Sequence, residues 1–270
     1  MEEAFADFGH IAGDVVLFGA PVSNREATAA FISRLESEGI SPRSAICTGD
    51  VVAYCANPAE TVDLLRAFGC PVIAGNCEVQ LAGDADDCGC GFVSGSVCDT
   101  LSEAWFAHAR ASLGPDARRW MAELPQFGVF THARGRFAVI HGGATQINRY
   151  IWPNDPASVY EEEVAQVRQI MGHVDGIVCG HAGIAFQRQV AGVHWINAGS
   201  IGMPPHDGRP ETRYARLSAD GVVFERLRYD WGVAKASMHS AGLTQGYDKT
   251  LIDGVWPSED VLPPTLRRAG

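Results

Sequence analysis

AICTGDVVAYCANPAETVDLLRAFGCPVIAGNCE, residues 45–78, alternates strand and helix signals tightly enough to set the architecture. A short apolar run, Ala45 to Cys47, ends in Thr48-Gly49-Asp50. Ala59, Val62, Leu64, Leu65 and Phe68 then recur at spacings near 3.6, the period of an amphipathic helix. Gly69 closes that helix, and a second apolar run, Pro71 to Ala74, delivers Gly75-Asn76-Cys77-Glu78. The pattern predicts a β-α-β unit with Asp50 and Asn76 at the carboxyl ends of neighbouring parallel strands. Open α/β sheets bind their ligands at that edge. Glycine before each polar residue permits a sharp turn, so both side chains are expected to face one cavity.

Working outward, Val15 to Gly19 reads as a first buried strand that breaks at Ala20-Pro21. Ser23-Asn24 starts a helix running from Arg25 to Glu38. On the other side, residues 79–126 interrupt the alternation with an acidic loop, the Gly- and Cys-bearing segment DCGCGFVSGSVCD, and two helical patterns around 101–113 and 115–124. Long excursions of this kind usually serve as lids or binding loops. Residues 128–131 and 136–140 read as a hairpin whose second strand runs into His141-Gly142-Gly143. A helix over 157–171 and a strand over 176–179 follow, the strand ending in Gly180-His181. Segments 187–190, 193–197, 212–218 and 222–227 read as antiparallel strands, the last pair joined by an Asp220-Gly221 turn. The tail from Trp231 carries one predicted helix. The expectation is a single domain over 1–270, with 79–126 inserted and 231–270 appended.

Composition narrows the function classes. With 46% hydrophobic and 20% charged residues in 270, the chain is neither disordered nor fibrous. A formal charge of −11 and a pI near 5.2 argue against binding a nucleic-acid backbone. No apolar run is long enough to span a bilayer, and the acidic start MEEAFADFGH lacks the marks of a signal peptide. The expectation is a cytoplasmic protein whose eight cysteines are thiols.

Four strand ends carry a possible metal ligand beside glycine: Asp50, Asn76, His141 and His181. Imidazole with carboxylate and amide oxygens suits Zn, Mn or Fe. The ordered set resembles the calcineurin-like metallophosphoesterase superfamily, and within it the small bacterial phosphodiesterase-like and dinucleoside-polyphosphate-hydrolase-like branch. It comprises Gly49-Asp50 with Tyr54 and Asn57-Pro58, Gly75-Asn76, His141-Gly142, Gly180-His181, and Asn197-Ala198-Gly199-Ser200-Ile201-Gly202 ahead of Asp207-Gly208. The resemblance spans residues 14–230. It implies an α/β four-layer fold, two mixed β-sheets packed face to face with helices outside, and a two-metal centre at the sheet edges.

The departures fall on one of those two metals. The family's opening Asp-x-His pair falls at Ala20 and Val22, its Gly-Asn-His histidine is Cys77, and the last histidine of Gly-His-x-His is Gly183. The second metal's ligands, Asp50, Asn76, His141 and His181, all remain. The resemblance therefore implies one divalent ion rather than two. It also implies a hydrolase of a phosphate ester or phosphoanhydride, in which metal-activated hydroxide attacks phosphorus. Cys77 stands where the family keeps its leaving-group acid, so leaving groups that need no proton, anhydrides or aryl phosphates, are expected. Cys88 and Cys90 are candidate additional ligands. Arg149, Asn24 and His206 are candidate contacts to a small phosphorylated substrate or nucleotide. Two rival readings stand beside the hydrolase: an inactive family member binding metal or nucleotide, and a thiol redox or cysteine-metal sensor using Cys77, Cys88 and Cys90.

Overall fold

Strands β2 (Val15–Phe18) and β3 (Ala45–Cys47) pair in parallel, Val16 opposite Ala45 and Phe18 opposite Cys47, as the two apolar runs predict. The computed structural model describes residues 5–268. Between those strands α1 (Arg25–Ser37) starts on Asn24, whose side chain accepts the Ala27 N–H. After β3 comes α2 (Pro58–Phe68), closed by Gly69 at φ 73°.

The second apolar run is shorter as a strand than expected. Only Val72 forms a ladder bridge, to Cys47, because Pro71 has no N–H and the chain then turns into α3 (Asn76–Ala82). Helices α4 (Val97–Ser112) and α5 (Pro115–Glu123) occupy the next stretch, close to the two patterns read there. The hairpin is β4 (Gly128–His132) and β5 (Gly135–Val139); α6 (Ala157–Met171) and β6 (Gly176–Cys179) follow. Strands β7 (Phe186–Val190), β8 (Val193–Asn197), β9 (Thr212–Ser218) and β10 (Gly221–Leu227) complete the sheets. The tail holds two helices rather than one, α7 (Trp231–Ser240) and α8 (Tyr247–Asp253). One strand went unread: β1 (Ala6–His10), a half-exposed edge strand parallel to β4.

The strands form two mixed sheets, one of six in the order β1-β4-β5-β6-β8-β7 and one of four in the order β10-β9-β2-β3. Leu17, Ile46 and Leu217 of the smaller sheet meet Phe130, Val178 and Ile196 of the larger in one buried cluster. Each such side chain contributes about 1.5–3 kcal/mol by leaving water. The outer face of the smaller sheet is covered by α1 and α2, where Phe31 and Leu65 are buried; Tyr160 and Val167 of α6 cover the larger sheet. Helix, sheet, sheet, helix is the layering that brings the ends of β3, β5 and β6 to one rim. No helix among the described residues is long and apolar enough to cross a membrane.

Candidate metal centre

Asp50 leaves the smaller sheet three residues after β3. The turn before it admits no side chain: a Cβ on Gly49, whose φ is 94°, would lie 2.5 Å from the Gly75 nitrogen, and one on Gly75 would lie 2.5 Å from the Asp50 nitrogen. Two glycines passing in contact thus bring Asp50 against Asn76, the first residue of α3. His141 and His181 arrive from the larger sheet, just beyond β5 and β6, and are tied by a Gly180 N–H to His141 carbonyl bond of 2.7 Å.

The four side chains converge. His141 Nδ1 donates to the Thr48 carbonyl at 2.6 Å, which leaves Nε2 carrying a lone pair. Around Nε2 stand Asn76 Oδ1 at 3.0 Å, His181 Nδ1 at 3.1 Å and Asp50 Oδ2 at 3.3 Å. The Asn76 amide is oriented by its own NH2, which donates to the Cys88 carbonyl at 2.9 Å. One ligand atom each from Asp50, His141 and His181 lies within 4.8 Å of the others. Four N/O ligand atoms from four segments, three of them under 4% exposed by side chain or residue, gather around one point. Such a set is satisfied by a cation, and its N/O composition fits Zn, Mn or Fe.

The electrostatics of the cluster follow from burial and close contact. Burial works against the Asp50 carboxylate, but the rings of His141 and His181 outweigh it and hold the group well below the usual range. Burial also opposes charge on His141, yet Asp50 pulls its pKa up, whereas burial draws His181 down. Glu78, which adjoins the motif, is fully buried and accepts three backbone N–H groups: Asp50 and Gly75 at 2.8 Å and Val52 at 3.1 Å. It therefore caps α3 and clasps the Asp50 loop to it. Burial and then the Asp50 charge push its pKa up to about 7.

The backbone around the centre is strained. Ala20, Val22, Ser23, Asp50, Tyr54, His181 and His206 all have positive φ, and for a β-branched residue such as Val22 that conformation is a true outlier. Strain of this kind persists where the surroundings enforce it and gathers at functional sites. Here the loops are zipped together by Ala20 N–H to Gly49 carbonyl and Val22 N–H to Asp50 carbonyl bonds. Ala20, Val22 and Gly183, the positions where the family's first metal ligands would fall, border a cavity of about 60 Å³ together with Asp50 and His181.

Other sequence candidates lie elsewhere. Asn24 caps α1 and donates to the Gly202 carbonyl at 2.8 Å, so its amide is consumed structurally. Arg149 pairs with Glu162 at 2.8 Å and buried Glu163 at 2.6 Å, bracing the loop after His141 rather than facing the cavity. His206 is fixed between Glu259 at 2.6 Å and the Trp256 N–H at 2.8 Å. Each of these three side chains is thus engaged by a protein partner, and none of them lines the cavity. The sulfurs of Cys88 and Cys90 face each other beside the Asn76 amide, and neither residue lines the cavity. Cys77 is buried beside Asn76 and does not line the cavity; burial, then Asp50 and Glu78, hold its thiol protonated. Sequence reading missed Glu78's triple clasp, Tyr150 and the tail residues Tyr247 and Trp256, which border the cavity from far along the chain.

A family model described as the calcineurin-like phosphoesterase superfamily domain matches residues 10–221. The chain belongs to the calcineurin-like phosphoesterase superfamily. It is similar in fold to a metallophosphoesterase from Sphaerobacter thermophilus, at 20% identity and a TM-score of 0.70 over 91% of this chain and 100% of that one. A hypothetical protein, PH1004, from Pyrococcus horikoshii gives 19% identity and a TM-score of 0.72 over 90% and 99%. The uncharacterized protein MJ0912 of Methanocaldococcus jannaschii is 22% identical over 79% of this chain and 86% of its own. Divalent metals are typical of the superfamily, and Asp50, His141 and His181 form the candidate site for one here.

Proposed function

We propose that this superfamily member is a metal-dependent hydrolase of a phosphate ester or phosphoanhydride, working with one divalent ion. The ion would be held by Asp50, Asn76, His141 and His181. The observation that carries the reading is the convergence of Asn76 Oδ1, His181 Nδ1 and Asp50 Oδ2 within 3.3 Å of His141 Nε2, whose Nδ1 faces the Thr48 carbonyl. When bound, such an ion supplies Lewis acidity toward a phosphoryl oxygen and lowers the pKa of water. The chain's own part is to fix the donors: Thr48 sets the His141 tautomer, the Cys88 carbonyl orients Asn76, and Glu78 holds the Asp50 turn. We further propose a single domain in which segments 79–126 and 231–270 wall the cavity around a small phosphorylated substrate or nucleotide.

No histidine stands where the family keeps its leaving-group acid, and Cys77, the residue at that position, is shut away from the cavity. Substrates whose leaving group departs without a proton therefore suit it. Elemental analysis of protein purified without added metal should give about one ion per chain. The metal-loaded protein should cleave aryl esters or anhydrides much faster than alkyl esters. A ratio near zero would overturn the proposal. Small side chains at 20, 22 and 183 also favour a second reading, an inactive relative that binds metal or nucleotide. That reading predicts one ion per chain and no hydrolysis of any of these substrates.

A further inference from the structure

The six tyrosines divide into two groups. Tyr160 donates to the Trp152 carbonyl, Tyr214 donates to Glu225, and Tyr229 accepts from Asn24. Tyr54, Tyr150 and Tyr247 all border the cavity beside Asp50 and His181, and their hydroxyls have no hydrogen-bond partner among the described residues. They come from three separate places: the loop after β3, the loop after His141, and the start of α8. The Tyr54 and Tyr247 rings are 4.5 Å apart, and the Tyr150 ring lies 4.3 Å from the His181 ring. Each of these hydroxyls opens into the cavity, where it is free to donate to a ligand oxygen.

We propose that Tyr54, Tyr150 and Tyr247 form an uncharged oxyanion pocket that binds the non-bridging oxygens of a monoanionic phosphodiester, in the place the superfamily gives to its first metal. The inference rests on the metal-dependent reading above and names its substrate class. Two observations select the monoanion. Among the described residues, no lysine or arginine lines the cavity; Arg149, the nearest expectation of one, is paired with Glu162 and Glu163. One divalent ion beside one ligand carboxylate leaves a single positive charge to be met. A diester meets it, whereas a dianionic monoester would leave excess negative charge beside Asp50, with no lysine or arginine to offset it. Phenols also suit the task electrically, since each supplies one O–H donor and no charge of its own.

The test begins with metal content, because a ratio near zero removes the reading beneath the inference and overturns both. With an ion present, dimethyl phosphate and inorganic phosphate are titrated calorimetrically into full-length protein and into Tyr54→Phe, Tyr150→Phe, Tyr247→Phe and the triple variant. Each hydroxyl removed should weaken dimethyl phosphate binding about tenfold while leaving bound metal and far-ultraviolet circular dichroism unchanged. Tyr160→Phe, outside the cavity, should leave the affinity as it was. Unchanged affinity in the triple variant, with metal retained, overturns the pocket and leaves the hydrolase reading intact. A second measurement needs no variant: wild-type protein should favour bis(p-nitrophenyl) phosphate over p-nitrophenyl phosphate, which share a leaving group. Preference for the monoester overturns the inference even if a variant misfolds.

Discussion

Asp50→Asn is expected to lower affinity for a divalent ion by about a thousandfold while leaving the fold intact. Asp50 is the one charged member of the donor set; Asn76, His141 and His181 contribute neutral atoms. Its carboxylate is nine-tenths buried by side chain, so solvent does little to screen it from an ion at that point. Removing one partner of a buried charge pair typically costs about 3–5 kcal/mol, and each 1.4 kcal/mol is a factor of ten in affinity. Asparagine keeps the shape and the Oδ1 that accepts the Cys77 N–H at 3.4 Å, so the loss reads charge rather than packing. Asn76→Ala, which deletes a neutral ligand, should cost about tenfold to a hundredfold, a range usual for lesser contributors to a metal site. Titration of zinc or manganese into metal-free protein separates the two. If Asp50→Asn binds the ion as tightly as wild type, the proposed centre is wrong whatever the family.

Much of this centre was legible because metal ligands in α/β folds sit where local rules are strong. Apolar runs of strand length ending in Gly-Asp, Gly-Asn, Ile-His and Gly-His place four donors without any knowledge of how the sheets pack. Short-range periodicity likewise gives α1, α2 and α6 nearly to the residue. What failed was long-range or edge-dependent. β1 lies at a sheet edge, half exposed, and lacks the apolar continuity of a buried strand. The run before Asn76 looked like a strand, but Pro71 withdraws a donor and the chain enters α3 almost at once. Arg149 stood at a plausible distance from His141, yet Glu163, fourteen residues on, claims it in three dimensions. The tyrosine wall was the least readable feature, since α8 meets Tyr54 across nearly the whole chain and no spacing rule links positions 54, 150 and 247. Tyr54 alone, standing within the Gly-Asp motif, gave a signal.

Glu78→Ala tests whether the centre depends on the residue that joins its two loops. The carboxylate takes N–H groups from Asp50, Val52 and Gly75, so alanine leaves three buried donors unpaired. The expected loss of stability is about 3–5 kcal/mol, the range for breaking a buried, multiply bonded charged group. Asp50 sits at φ 52°, a conformation held against its own preference, and releasing its N–H frees that backbone to relax away from the site. Metal affinity should therefore fall by about tenfold to a hundredfold, although Glu78 is not a ligand. Glu78→Gln preserves volume but turns an NH2 toward N–H donors, and should lie between alanine and wild type. Because the folded pKa, about 7, lies above the ordinary 4.5, the native state holds this proton more tightly than the unfolded chain. Its contribution to stability is thus complete below about pH 4.5 and is lost as pH rises through 7. Metal-free wild-type protein should show that decline in denaturant midpoint across the window, and Glu78→Gln should flatten it. An alanine variant with wild-type midpoint and wild-type metal affinity would mean that the Asp50 turn holds itself, and that the clasp is incidental to the centre.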